Sequence, residues 1–318
     1  MIVTVTLNPS LDRTLQVRRL RRGEVHRAGL SVTDPGGKGV NVARCLSAHG
    51  DEVVAVVPVG GATGAAVASL LDEAHVAHDL VAQDGRTRAN VSVVEPDGTT
   101  TKINEPGTPL RAAELEAVVG AASRRVGPGD WVVTAGSLPP GQDPHSYAEI
   151  GRAARACGAR WAVDTSGDAL PSSLAASPDL VKPNRRELEE VVGGRLDTVG
   201  AVVDAGRALL DRGVGTVLCS LGRDGAVLVR PEAALHAAAP EVRVRNTVGA
   251  GDSLLAGYLH GWQAGADAGQ ALRTGVAWAA AAVATPGTGI PAPELIQLDR
   301  VRVSTAADYA TALLEDAS

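Results

Sequence analysis

Apolar runs of strand length recur along this chain, at Ile2–Leu7, Val53–Val59, Trp131–Thr134, Trp161–Asp164, Leu180–Lys182 and Val217–Ser220. Between most of them lie segments of helical pattern. In Ala112–Val126, for example, Leu115, Val118, Val119 and Ala122 fall at the spacings that line a single helix face. Strands that alternate with helices argue for a largely parallel sheet covered on both faces. The predicted class is therefore α/β. At 318 residues, one large α/β domain with a small added lobe accommodates the whole chain. Its core must be built from Ala, Val and Leu, because Phe is absent and Met occurs once.

Two segments break the rhythm. Ser10–Thr33 is charged and irregular, whereas Arg86–Asn104 reads as a hairpin: Asn90-Val-Ser-Val-Val94 alternates, Asp97-Gly98 is a strong turn signal, and Thr99–Ile103 returns. Neither has enough apolar residues for a core of its own. They are predicted to form a discontinuous β lid, residues 10–33 and 86–104, lying across one edge of an α/β core made of residues 1–9, 34–85 and 105–318.

The formal net charge of −6 argues against a bulk electrostatic grip on nucleic acid. Cys45, Cys157 and Cys219 are odd in number and far apart, with no CxxC or HExxH, which points away from disulfides and structural zinc and towards a reducing compartment. The N-terminus MIVTVTLNPSLDR alternates like a short strand instead of pairing a charged head with an apolar run, and no stretch reaches membrane-spanning length. A soluble, cytoplasmic protein without a membrane partner is expected.

The chemistry should lie in two glycine-rich helix starts. One is Pro35-Gly-Gly-Lys-Gly-Val-Asn41; the other is Thr247-Val-Gly-Ala-Gly-Asp252, which sets one carboxylate among small residues just before a helical pattern. GxxxxGK[ST] and GxGxxG are both absent, which disfavours a P-loop nucleotidase and a Rossmann dehydrogenase. A lone Asp at a helix start has a bland explanation, the favourable end of the helix dipole. It also has a sharp one: the N–H groups of Gly249, Ala250 and Gly251 hold an anion while Asp252 serves as a base beside it. Other positions carry the same ambiguity. Asn184-Arg-Arg-Glu187 fits a helix capping box, Asp12 a turn, Arg88 an exposed edge charge, and Ser137 a loop after a buried strand. In an α/β sheet, however, ligands sit beyond the carboxyl ends of the strands, where one cleft could gather all of these stretches.

Four stretches together carry a resemblance: Thr6-Leu-Asn-Pro-Ser-Leu-Asp12, Gly36-Gly-Lys-Gly-Val-Asn-Val-Ala43, Val181-Lys-Pro-Asn-Arg-Arg-Glu-Leu188 and Thr247-Val-Gly-Ala-Gly-Asp-Ser253. In order and spacing they resemble the phosphofructokinase B family of ribokinase-like sugar kinases, and within it the bacterial 1-phosphofructokinase group, across almost the whole chain. The resemblance implies a three-layer α/β/α domain with a mostly parallel sheet and a small β-sheet lid. It implies ATP-dependent phosphorylation of fructose 1-phosphate at its 6-hydroxyl, with Asp252 as base and Gly249, Ala250 and Gly251 as the anion hole. Asp12, Gly36, Gly37 and Asn41 would bind sugar hydroxyls, and Lys38, Arg88 and Ser137 the phosphate already on the substrate. Lys182, Asn184, Ser220, Gly222, Gly225 and Thr247 would face the nucleotide, and Glu187 and Asp164 the Mg²⁺, through water. A homodimer through the lid and a monovalent cation are further implications. Against the last, the segment Ala284-Thr-Pro-Gly-Thr288 has Thr285 where many members carry Asn, which puts the adenine-side contacts in question as well. Tagatose 6-phosphate and fructose 6-phosphate remain alternative substrates, and a sugar-phosphate-binding regulator without catalysis is the alternative of a different class.

Overall fold

The computed structural model describes residues 1–285, 290–305 and 310–314. The strands, in chain order, begin with β1 (Ile2–Val5), β2 (Ser10–Gln16), β3 (Leu30–Gly36), β4 (Val53–Val59), β5 (His78–Ala82), β6 (Arg88–Val94) and β7 (Thr100–Asn104). They continue with β8 (Trp131–Ala135), β9 (Arg160–Asp164), β10 (Leu180–Val181), β11 (Val217–Ser220), β12 (Ala226–Arg230), β13 (Ala233–Ala238) and β14 (Arg302–Thr305). Ten of them form one sheet in the order β14-β13-β12-β11-β10-β9-β8-β1-β4-β5, parallel from β11 to β5. The three strands on the other flank are antiparallel additions.

Alternation along the strands sorts the core onto two faces. Val3, Val5, Val132 and Val163 face one cluster, built with α3 (Ala112–Arg125), α4 (Ser146–Ala156), α5 (Ala169–Leu174), α6 (Arg185–Val192) and α7 (Val199–Leu210). Ile2, Ala55, Val133 and Leu218 face the other, built with α1 (Lys38–Ala48), α2 (Gly61–Glu73), α8 (Ala250–Gln263) and α9 (Ala268–Ala284). The result is the three-layer α/β/α fold expected from the sequence, and the Ala112–Val126 pattern is realised as α3 with Leu115 and Val118 buried. Cys45 and Cys219 are buried free thiols, each pushed up to about 12, chiefly by burial. No helix among the described residues is long and apolar enough to cross a membrane.

A second sheet, in the order β3-β2-β6-β7, grows from the carboxyl ends of β1 and β5. The hairpin expected at Asp97-Gly98 is its β6–β7 pair. The segment read as irregular contributes β2 and β3, whose antiparallel pairing runs on through Gly36, two residues before α1 begins. Register explains what this sheet presents. Ser10 pairs with Arg88 and with Gly36, Asp12 with Asn90, and Ser92 with Lys102. Paired residues share a face and alternate residues return to it, so Ser10, Asp12, Arg88, Asn90 and Lys102 all line one side.

Candidate active site

That polar side closes a cleft of about 520 Å³ over the carboxyl ends of the parallel strands. A larger hollow of about 570 Å³ lies between α5 and α6 and is walled by Leu170, Leu174 and Val191, but it holds neither helix start. The smaller, polar cleft gathers Asp12, Gly37, Lys38, Asn41, Arg88, Ser137, Asp164, Lys182, Asn184, Ser220, Gly249, Gly251 and Asp252. Gly36, Ala250, Thr247, Gly222 and Gly225 do not line it, and Glu187 lines the hollow between α5 and α6 instead.

At the start of α1, the two glycines are required by close approach. A Cβ on Gly36 would run into the Asp12 carboxylate; one on Gly37, whose φ is 112°, would lie 2.6 Å from Thr6 Cγ2. Asp12 Oδ1 accepts from Ser10 Oγ (2.7 Å) and Asn90 Nδ2 (2.9 Å), which fixes the carboxylate at the cleft wall. The first residue of α1, Lys38, donates from Nζ to Asp164 Oδ1 at 2.8 Å, and Lys182 Nζ lies 3.1 Å from Asp164 Oδ2. Asp164 ends β9 and is wholly buried. Burial opposes its charge, yet Lys182 and Lys38 hold it below the usual carboxylate range. Lys38 in turn resists burial through Asp164, Glu187 and Asp252, and is held above the usual lysine range.

Gly249, at φ 80°, caps α8, and Asp252 sits buried in its first turn. The N–H groups of a first turn have no acceptor within their own helix. That of Ala250 leans back on Thr247 O at 3.4 Å. Lys182 approaches the same turn: a Cβ on Gly251 would be 3.4 Å from its Nζ. Asn41 Nδ2 donates to Asp252 Oδ2 at 2.8 Å. Burial first, and the charge of Asp164 second, push Asp252 up to about 6, against the pull of Lys38, Asn41 and Lys182. Such a carboxyl is ionised at neutral pH but holds a proton far more readily than an exposed one, which suits a base. Arg88 is drawn below the usual arginine range by burial, with Asp12 and Tyr147 opposing. It donates to Glu105 O at 3.1 Å. Arg88 Nε, Asn41 Oδ1 and Asn90 Oδ1 are buried without a protein partner, as befits a wall whose partners arrive with a polyhydroxylated anion.

Asn8, Ser10, Asn90, Lys102 and Ser166 also line the cleft and were not singled out from the sequence. Alternation in β2, β6 and β7 could have found Ser10, Asn90 and Lys102 once the register was known; nothing marks Ser166.

A family model described as pfkB family carbohydrate kinase matches residues 5–295. The chain belongs to the pfkB family. It is 41% identical over 299 residues to a 1-phosphofructokinase of Rhodobacter capsulatus, covering 92% of this chain and 93% of that one. Phosphofructokinase-2 of Escherichia coli, solved with potassium, superposes with a TM-score of 0.88 at 34% identity over 94% of this chain and 99% of its own. The same protein in a tetrameric inhibited form gives 0.86 at 33% identity, over 94% and 99%. Ribokinase of Arabidopsis thaliana, at 23% identity, TM-score 0.72 and coverage of 91% and 94%, shares the fold.

Family membership implies ATP and a divalent metal, and the donor set tests the metal. Among the described residues no group of three His, Cys, Asp or Glu could hold an ion. Asp164 Oδ1 accepts from Lys38, while Oδ2 has Lys182 Nζ as an ion-pair neighbour at 3.1 Å but no hydrogen-bond partner among the described residues. Glu187 Oε2 accepts the Asn184 N–H at 2.8 Å while Asn184 Oδ1 accepts the Glu187 N–H, so the capping box is formed and only Oε1 remains for other use. This fits a metal carried in on nucleotide phosphates and reached through water; it does not fit a metal held in a protein cage. Thr285 turns its hydroxyl to Ala281 O at 2.9 Å, and Pro286–Thr288, where a cation site was considered, lie outside the described residues.

Proposed function

We propose that this protein transfers the γ-phosphoryl group of ATP to the 6-hydroxyl of fructose 1-phosphate. The observation that carries the reading is the meeting, in one cleft, of Asp252 at the glycine-capped start of α8, Lys38 at the start of α1 and Arg88 on β6 of the second sheet. Asp252 takes the proton of the hydroxyl as its oxygen attacks the γ-phosphorus; the β–γ bridging bond breaks and ADP leaves. The turn Gly249–Gly251 faces the charge that moves onto the transferring group, and Lys182 stands beside it. Mg²⁺ bound to the phosphates would neutralise their charge, with Glu187 Oε1 and water as its link to the protein. Lys38, Arg88 and Ser137 hold the phosphate already on the sugar, and Asp12, Asn41 and the Gly36–Gly37 backbone its hydroxyls. Lys182, Asn184, Ser220, Thr247 and the Gly222–Gly225 turn receive the nucleotide.

The identity to a 1-phosphofructokinase favours fructose 1-phosphate over fructose 6-phosphate and tagatose 6-phosphate. Retention of Asp252 with the whole Gly249–Gly251 turn speaks against a non-catalytic regulator, which could lose the base without harm. The lid sheet is proposed to close over the sugar and to pair two copies, in a cytoplasmic enzyme. ADP release with Mg²⁺ and each sugar phosphate in turn tests the assignment. Turnover best on fructose 1-phosphate is expected, and best turnover on another sugar phosphate replaces it.

A further inference from the structure

The described residues 310–314 form a strap bound to the nucleotide half of the molecule. Val199 N–H donates to Thr311 O at 3.0 Å, Leu313 N–H donates to Asp197 O at 2.9 Å, and Thr198 bridges Ala312 antiparallel, so the strap lies against the entry of α7. Leu313 packs on the core below. Leu314 then ties two separate segments together. Its N–H donates to Asp224 Oδ2 at 2.8 Å, and its carbonyl accepts from Arg185 Nη1 at 3.0 Å.

Both partners belong to stretches assigned above to the nucleotide. Asp224 closes the 3₁₀ turn Gly222–Asp224, which is flanked by Gly222 at φ 58° and Gly225 at φ 89°. Arg185 follows Asn184, and Asn184 is itself bridged to Ser220. A glycine-flanked turn has little stiffness of its own, and ordering it on binding weakens a ligand's affinity. Without the strap, Asp224 Oδ2 loses the N–H that fixes it at the turn.

We propose that Leu314 is a positioning residue for the donor nucleotide. Its two backbone bonds brace the Gly222–Gly225 turn against the start of α6 and hold the Asp224 side chain in place. The inference rests on the nucleotide assignment made under the proposed function.

Leu314→Pro deletes the N–H at a half-exposed position near the end of the described chain, where the core is not disturbed. Binding of a non-hydrolysable ATP analogue with Mg²⁺, measured by calorimetry without sugar, should weaken three- to tenfold. KM for fructose 1-phosphate, kcat and the unfolding midpoint should stay close to the parent. Asp224→Ala, which removes the acceptor of the same bond, should weaken analogue binding to a similar extent, and combining it with Leu314→Pro should add little further. Unchanged analogue binding in Leu314→Pro overturns the proposal, and so does equal weakening of both substrates with a lowered midpoint, which is what mere fastening would give. Ser220→Tyr, which places a ring at the cleft wall, separates the two claims. If it leaves analogue binding intact, the nucleotide assignment fails; if it abolishes binding while Leu314→Pro does not weaken it, only the strap inference fails.

Discussion

Asp252 serves two ends that pull apart. Its carboxyl is raised above the value it would have in an unfolded chain, so the folded protein binds that proton more tightly. The stabilising contribution of that proton is fully present below the unfolded value of 3.8 and is lost as pH rises through about 6. At pH 8 the buried charge is therefore a burden on the fold. Asp252→Asn, which keeps an acceptor for Asn41, should raise stability at pH 8 by about 1–3 kcal/mol, with the gain vanishing below pH ~4. The same variant should lose at least about 10²–10⁴ of kcat, because the base is gone, while fructose 1-phosphate still binds. Denaturant titrations at the two pH values and single-turnover kinetics check the pair of effects; near-parental turnover in Asp252→Asn removes Asp252 as the base. In the parent, kcat/KM should fall as pH drops through about 6, since the base must be ionised. On the proposed reading Lys38 and Arg88 act on the ground state instead. Lys38→Ala and Arg88→Ala should each raise KM for fructose 1-phosphate tenfold or more, in keeping with about 1.5–3 kcal/mol for a charge-assisted hydrogen bond, and should move KM for ATP much less. If neither substitution moves the sugar-phosphate KM, the phosphate clamp is wrong.

At the scale of the element, the start of α6 shows one motif serving a local and a distant purpose. The Asn184–Glu187 capping box is complete, so a purely structural role for Glu187 is satisfied already. Glu187→Gln keeps the box and should leave the melting temperature unchanged, whereas Glu187→Ala should lose about 0.5–2 kcal/mol of stability. If Oε1 also serves the metal, Glu187→Gln alone should raise the Mg²⁺ concentration needed for half-maximal rate; an unaltered Mg²⁺ titration leaves only the cap. The capping box was legible in the sequence because both partners lie within four residues. Val53–Val59 was legible for a similar reason, since an uninterrupted apolar run is what a strand buried on both faces requires. The antiparallel flank was not: Ala233–Ala238 is mostly alanine, whose small side chains give little alternation to read. Nor was the grip of Lys38 and Lys182 on Asp164. Lys38 is 126 residues from that carboxylate, and only the parallel order of the strands brings β9 and β10 beside the start of α1. The charge seen from the sequence as a neighbour of the metal is, in the fold, the counter-charge of two cleft lysines.

For the whole molecule, the second sheet is the part with open edges. Its edge strands are β3 and β7, and Leu30 on the first and Ile103 on the second are 55% and 63% exposed, with Val25 of the intervening β2–β3 loop at 87%. Open edges carrying exposed apolar residues invite uncontrolled association unless a specific partner covers them. A second copy of the same sheet is a self-complementary solution, because a two-fold axis lets one patch cover its own equivalent. By register Ile103 lies on the side of the sheet away from the cleft, whereas Leu30 shares the cleft-facing side but sits at the far end of β3 from Gly36, so pairing along the two edges leaves the cleft itself uncovered. Pairing would then stiffen the lid that carries Arg88, and should be felt as sugar-phosphate affinity. Sedimentation at micromolar concentration should show a dimer. Leu30→Asp combined with Ile103→Asp, both at exposed positions, should give a folded monomer with a raised KM for fructose 1-phosphate and little change in KM for ATP. A parent protein that sediments as a monomer at every practical concentration removes the pairing, though not the lid; a dimer that survives both substitutions places the interface elsewhere.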